Sequence, residues 1–233
     1  MLWAAATAKP AGSENKAVVS RARVMRPLEW IQEFASRRMV TLPRYFPIAE
    51  KKSGPVLGFD ASTTGGGAWL APAREELPTH YATFLWTAED EELLQAKRGD
   101  PGSQAVWETY ALLLAIEAWD NVLARRFGTL ELRGDAQGIL QAVLKKRARS
   151  PVINVLVAEI QLCLAKSMHD IFGSHIWSED NEWADQLSRL GEGAVMPPVF
   201  EKVNKTIVND KHRWKFLTKL GVRAAVTGHA GEE

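Results

Sequence analysis

Between residues 56 and 190 the hydrophobic period switches repeatedly between that of a strand and that of a helix, which restricts the chain to a layered α/β fold. Val56–Asp60 is a short apolar run ending in an acid. Thr63-Thr64-Gly65-Gly66-Gly67 reads as a turn, and Ala68–Ala71 and Thr79–Leu85 complete an expected meander of three antiparallel strands. Glu89–Glu92 reads as an acidic surface run and Gly99-Asp100-Pro101-Gly102 as a loop. Ser103 is the expected N-cap of a helix reaching about Ala124, with Val106, Tyr110, Leu113, Leu114 and Trp119 at its apolar positions. The spacing then predicts a strand over Leu130–Arg133, helices over Gln137–Lys145 and Val152–Lys166, a strand over Ile171–Trp177 and a helix over Asn181–Leu190. The order is β-β-β-α-β-α-α-β-α, with no internal repeat.

Four segments are expected: a disordered start at 1–20, a basic connector helix and linker at 21–55, the α/β domain at 56–190, and a tail at 191–233. In the second, Val24, Leu28, Ile31 and Ala35 recur at helical spacing between Arg21 and Arg38, and Thr41–Lys52 reads as a linker. The tail offers one amphipathic stretch, Arg213–Leu220, and no further signal. No apolar run reaches the roughly 20 residues of a membrane helix, and Met1–Ala8 makes a poor signal peptide, so an intracellular location, cytoplasmic or nuclear, is expected. The single cysteine, Cys163, falls on an apolar helical pattern and is expected to be buried. Trp69, Trp119 and Trp177 likewise sit in patterns expected to bury them.

The net charge of +1 conceals an asymmetry. Residues 1–55 carry ten Lys/Arg against four Asp/Glu, a net +6; residues 56–190 carry twelve against nineteen, a net −7; residues 191–233 carry seven against five, a net +2. A basic arm on an acidic core suits a polyanion held partly by the arm, with metal held by the core. Solvated charge with no partner explains the arm about as well.

Four acids give the core its chemistry. Asp60 and Asp135 end the strand-like runs Leu57-Gly58-Phe59-Asp60 and Leu130–Asp135; Glu108 and Asp185 lie in helical patterns, after Trp107 and Ala184. Carboxylates from separate elements can converge to hold two divalent cations for phosphodiester hydrolysis. Neighbouring strand ends would set Asp60 and Asp135 close together, and the repulsion between them invites a cation. Taken singly, each has an ordinary alternative: a turn-forming Asp, a Glu that complements a helix dipole, a solvated helical acid.

The stretch Asn181-Glu182-Trp183-Ala184-Asp185-Gln186-Leu187-Ser188-Arg189 closely resembles the last helix of ribonuclease H domains in reverse-transcribing elements, which reads Asn, a few residues, Ala-Asp, then Leu-Ser-Arg. Asp60-Ala61-Ser62, Trp107-Glu108 and Gly134-Asp135 precede it in the order that family requires. The resemblance spans about 56–190 and is closest to gypsy-like and DIRS-like retroelements, and Val24–Pro47 is similar to the connector after their polymerase.

It implies a ribonuclease H-like α/β fold, a five-stranded mixed sheet flanked by helices, and cleavage of the RNA strand of an RNA–DNA hybrid. It also implies two Mg²⁺ (or Mn²⁺) ions on Asp60, Glu108, Asp135 and Asp185. Ser62, Thr63 and Asn181 are candidate nucleic-acid contacts, and Lys145, Lys146 and Arg147 form a basic run suited to phosphate. The expected partners are the hybrid and a reverse transcriptase polymerase domain, which these 233 residues do not include, so the chain is expected to be a piece of a longer polyprotein. Two departures stand out: Ser178-Glu179-Asp180 holds no histidine where many cellular members have one, and Ala136 follows the third acid where Asn is common.

The alternative function is an inactive domain that binds nucleic acid or braces a polymerase. A proofreading-type exonuclease is disfavoured because Ser62 stands where that family has the second acid of Asp-x-Glu.

Deleting residues 1–50 is expected to weaken hybrid binding and flatten its salt dependence, because fewer counterions are released. Titration of full and truncated chains at several salt concentrations checks this; parallel slopes and equal affinities would make the arm a docking element only.

Overall fold

The computed structural model describes residues 54–208 apart from 75, 124–127 and 168, together with 25, 28, 29, 31 and 32. The chain divides into two units, Met1–Phe46 with Thr227–Glu233, and Pro47–Val226. In the first, the five described residues are helical, as the spacing predicts. The rest of that stripe, the 1–20 segment, the linker Thr41–Lys52 and the stretch Arg213–Leu220 lie outside the described residues.

The second unit is built on a mixed sheet of β1 (Val56–Ala61), β2 (Gly65–Ala71), β3 (His80–Leu85), β4 (Gly128–Gly134), β5 (His169–His175) and β6 (Asn204–Lys205), in the order β5-β4-β1-β2-β3-β6. β1, β2 and β3 form the expected antiparallel meander, whereas β4 and β5 continue the sheet in parallel. The ribonuclease H-like α/β fold is therefore present, with six strands rather than five.

The helices are α1 (Ala88–Leu94), α2 (Gln104–Ala118), α3 (Asp120–Leu123), α4 (Gln137–Leu144), α5 (Pro151–Ser167) and α6 (Glu182–Ser188). On one face of the sheet Leu57, Phe59, Leu130 and Leu132 join a core with Leu112, Leu113 and Ile116 of α2 and Leu156, Val157 and Ile160 of α5. α2 is sandwiched between sheet and α5, so it is apolar almost all round. The other face is covered by α6 and the segment after it: Val56, Trp69 and Tyr81 pack with Ala184, Leu187 and Phe200.

Several local expectations are corrected. Gly65–Gly67 open β2 rather than form the turn, which is confined to the residues before them. Their lack of side chains serves close packing: a Cβ on Gly67 would stand 2.4 Å from the Ser188 backbone nitrogen, so only glycine lets α6 lie against β2. The acidic run at 89–92 is the first half of α1, where Thr87 and Asp90 form a capping box and buried Asp90 accepts the Tyr110 hydroxyl at 2.8 Å.

Ser103 makes no side-chain cap to α2; its hydroxyl donates to Asp100 Oδ2 at 2.7 Å in a preceding 3₁₀ turn. The helix ends at Ala118, and α3 follows as a separate turn. Cys163 is buried, as expected. Trp177 is not: β5 ends at His175, so this ring falls beyond the sheet and is 69% exposed.

The sheet does not end with α6. β6 pairs in parallel with β3, and Phe200, 1% exposed, lies with its ring 5.3 Å from Tyr81 and 6.1 Å from Trp183. Met196, Val199, Phe200 and Val203 thus close the α6 face of the sheet, β6 extends its edge, and Thr206 accepts from Trp119 Nε1 of the opposite core at 2.9 Å. Phe200→Ala is expected to lower the unfolding free energy by about 3 kcal/mol, the usual cost of emptying such a site. Urea denaturation checks this; an unchanged midpoint would make the segment a passenger.

Candidate active site

The parallel pairing of β1 with β4 puts their ends side by side, so Asp60, inside β1, and Asp135, immediately after β4, come to the same rim. Asp60 is buried in a strand whose six residues are all buried, and Ser188 Oγ of α6 donates to its Oδ2 at 2.9 Å. Asp135 accepts the Ser178 hydroxyl at 2.8 Å.

Glu108 lies in the second turn of α2, half-buried between two anchors. The Trp107 and Tyr110 rings are fully buried, and Trp86 of the loop after β3 stacks on Trp107 at 5.1 Å. Gln104 bridges strand and helix: its Nε2 donates to the Ala61 carbonyl at 2.6 Å and to Glu108 Oε1 at 3.3 Å. Asp185 sits on α6 and accepts from Arg189 Nε at 2.7 Å, one helical turn on.

The four acids feel one another. Burial, and then the charges of Asp135 and Asp185, push Asp60 up to about 6 against the lowering effect of its Ser188 bond. Burial, and then Asp60 and Asp135, push Glu108 up to about 7 against its bond from Gln104. The structure therefore brings all four sequence-predicted acids into one electrostatic neighbourhood, with Arg189 the cation bonded to it.

Among the described residues, the group of metal-ligand atoms lying within 4.8 Å of one another is a different one, Glu117, Glu159 and Cys163, buried between α2 and α5. The rim acids are set wider than that. Their chemistry nonetheless fits hard divalent cations: four carboxylates, no sulfur or nitrogen ligand, and two of them raised by burial and then by neighbouring negative charge, which a cation would offset.

The other candidates divide. Ser62 is buried and its hydroxyl donates to the Ser188 carbonyl at 2.8 Å while receiving the Thr64 and Gly65 amides, so it fastens α6 to the β1–β2 turn. Thr63 is exposed, but its hydroxyl donates to Glu192. That bond, with others from Thr64 and Ser62, lowers Glu192 below the ordinary glutamate value. Asn181 is buried; its Nδ2 donates to the Phe59 carbonyl at 3.2 Å and its Oδ1 has no hydrogen-bond partner. Lys145, Lys146 and Arg147 are exposed at the far end of α4, about 12 Å of helical rise beyond Asp135.

Gln104, Ser178 and Ser188, which orient three of the acids, were not singled out from sequence. Ser188 appears there only as the Ser of Leu-Ser-Arg, and Ser178 only as part of a stretch without histidine.

Both raised carboxyls sit above their unfolded values, so the metal-free folded chain binds more protons than the unfolded chain between about pH 4 and pH 7. Its stability accordingly falls as pH rises through that window. Asp60→Asn, which keeps an acceptor for Ser188, is expected to stabilise the metal-free protein at pH 8 by up to about 3 kcal/mol, and hardly at all at pH 4. Urea unfolding in EDTA at both pH values checks it; a variant no more stable than wild type at pH 8 contradicts the cost of burying a charged Asp60 beside its neighbours.

No protein-family model matches the chain, and no curated protein matches it in sequence. Among solved structures it is similar to LC11-RNase H1, isolated from compost by a metagenomic approach: 19% identity over 59% of this chain and 93% of that one, TM-score 0.42. It is also similar to RNase H1 from the halophilic archaeon Halobacterium salinarum NRC-1, at 17% identity over 61% of this chain and 98% of that one, TM-score 0.42. A third similar structure is the foamy viral protease–reverse transcriptase in complex with dsDNA, at 15% identity over 71% of this chain and 32% of that one, TM-score 0.33.

Proposed function

We propose that the chain is a metal-dependent ribonuclease H that cleaves the RNA strand of RNA–DNA hybrids during reverse transcription of a retroelement, inside the cell. The observation that carries this reading is the convergence of Asp60, Glu108, Asp135 and Asp185, from four separate elements, on one rim of the sheet. The same four acids stand in the sequence patterns of retroelement ribonuclease H domains.

In this reading the four carboxylates hold two Mg²⁺ or Mn²⁺ ions. When bound, such ions neutralise the scissile phosphate and make water a nucleophile near neutral pH. The chain's own residues set the geometry. Ser188, Gln104 and Ser178 fix the carboxylate oxygens of Asp60, Glu108 and Asp135. Asp60 and Glu108 release protons as cations load, so loading strengthens from pH 5.5 to pH 8. Exposed 2′-hydroxyls in the shallow minor groove of the hybrid distinguish RNA from DNA. The basic arm at 1–55 supplies phosphate contacts beyond those of Lys145, Lys146 and Arg147 in the acidic core, and a polymerase domain outside this chain holds the hybrid's other end.

Incubation with an end-labelled hybrid is expected to yield cuts in the RNA strand with Mg²⁺ or Mn²⁺, and none with EDTA or with Ca²⁺, which binds in looser geometry. Asp60→Asn and Asp185→Asn should abolish cutting while hybrid binding persists. Ser188→Ala should weaken metal affinity about tenfold, as loss of a group that orients a ligand does. Cutting that survives excess EDTA would overturn the reading; hybrid binding without cutting under any divalent ion would leave the chain a binding module.

A further inference from the structure

Three of the four rim acids are held by uncharged donors: Ser188 on Asp60, Gln104 on Glu108 and Ser178 on Asp135. Asp185 is held by a cation instead, with Arg189 Nε donating to its Oδ1 at 2.7 Å. The same guanidinium faces a second carboxylate, its Nη1 lying 3.9 Å from Glu192 Oε2. One side chain therefore stands between two acids, one on the rim and one outside it.

The frame around that side chain is fixed. The Arg189 amide donates to the Asp185 carbonyl at 3.1 Å and closes α6, while its carbonyl accepts the amides of Glu192 at 2.8 Å and Ala194 at 3.2 Å. Gly193, at φ +89°, makes that tight reversal possible. Glu192 is anchored to the β1–β2 turn, because its Oε1 accepts the hydroxyls of Thr63 and Thr64 while Oε2 faces Arg189. The Arg189 side chain, half exposed, is the long and rotatable member of the group.

An exposed ion pair of this kind is weak in water, and a divalent ion on Asp185 repels the guanidinium with twice a unit charge. Shortening the 3.9 Å contact by about 1 Å brings the guanidinium into hydrogen-bond range of Glu192. Granted the cation-binding rim of the function proposed above, we propose that Arg189 is the resident counter-ion of the metal-free site. It neutralises Asp185 until a divalent cation arrives, and then passes to Glu192. The metal-free rim is thereby spared part of its repulsion, and loading leaves no cation without a partner. Arg189 and Glu192 are positioning residues in this scheme, acting on the ion through Asp185.

The test titrates Mn²⁺ into the full chain without nucleic acid, following heat and the paramagnetic signal of the free ion. Arg189→Gln is expected to tighten binding about threefold, since no cation has to be displaced, and to lower the melting temperature in EDTA. Glu192→Gln is expected to weaken binding about threefold, since the displaced guanidinium has lost its acceptor. In the Arg189→Gln background the Glu192→Gln change should do almost nothing, and this double-mutant cycle cancels the general effect of each charge. A merely structural role for the two residues predicts weaker binding in both single variants.

Weaker binding by Arg189→Gln, or an equal loss from Glu192→Gln in both backgrounds, would overturn the proposal. Absence of Mn²⁺ binding by the wild-type chain would overturn it together with the cation-binding rim. Hybrid cleavage assayed on the same preparations keeps the readings apart. The expected cycle without cleavage supports the counter-ion alone, and cleavage with an additive cycle removes the counter-ion alone.

Discussion

Carboxylates that repel one another but cannot move apart are the constraint around which the rest of the domain is arranged. On a mobile loop each acid would swing outward until solvent restored its ordinary acidity. Here Asp60 is held within a wholly buried strand, Glu108 between the buried rings of Trp107 and Tyr110, and Asp185 on a helix clamped by Ala184 and Leu187. The elevation of Asp60 to about 6 and of Glu108 to about 7 reports the resulting strain. Burial contributes more of it than the neighbouring charges do, so the core that stabilises the fold is also what loads the site. That arrangement suits a site that gains stability only when cations arrive.

The clamp works because of one close approach. Without a side chain at Gly67, the α6 backbone lies on β2, and the Leu187 Cβ would stand 2.5 Å from any Cβ placed there. At that distance Ser188 reaches Asp60 with its hydroxyl while its carbonyl receives Ser62. A helix one side-chain layer further out could still bury Leu187, but it would lose both bonds and carry Asp185 away from the rim. The tail then adds Phe200 over the same face and β6 at the edge beside β3, and Glu192 takes the hydroxyls of Thr63 and Thr64. Two carboxylates, those of Asp185 and Glu192, so face Arg189, at 2.7 and 3.9 Å.

Much of this was legible in the sequence, for identifiable reasons. Strands β1, β4 and β5 and helices α2, α4 and α5 announce themselves because long apolar patterns keep one period. The four acids were legible because each ends or interrupts such a pattern. The triple glycine misled, since a turn and a close approach demand the same missing side chain. Glu89–Glu92 looked like surface because three acids conceal the one, Asp90, that caps a helix and receives a buried tyrosine. β6 is two residues long and has no period to read. Trp177 is apolar enough to extend the strand pattern, yet the strand stops two residues earlier.

Asn181 shows how a motif residue acquires a reason. In the sequence it is merely the first letter of a pattern that ends in Leu-Ser-Arg. In the structure its side-chain nitrogen holds the carbonyl of Phe59, and its backbone carbonyl receives the amide of Asp185 at 3.0 Å. One residue therefore couples the strand that carries the first acid to the helix that carries the fourth. An aspartate there would place a second anion against a carbonyl and beside Asp60, and would forfeit the donor. A serine would be too short to reach β1 from the start of α6. Only a short amide offers a donor at that distance without charge. The placing of the first acid against the fourth thus depends on one side chain.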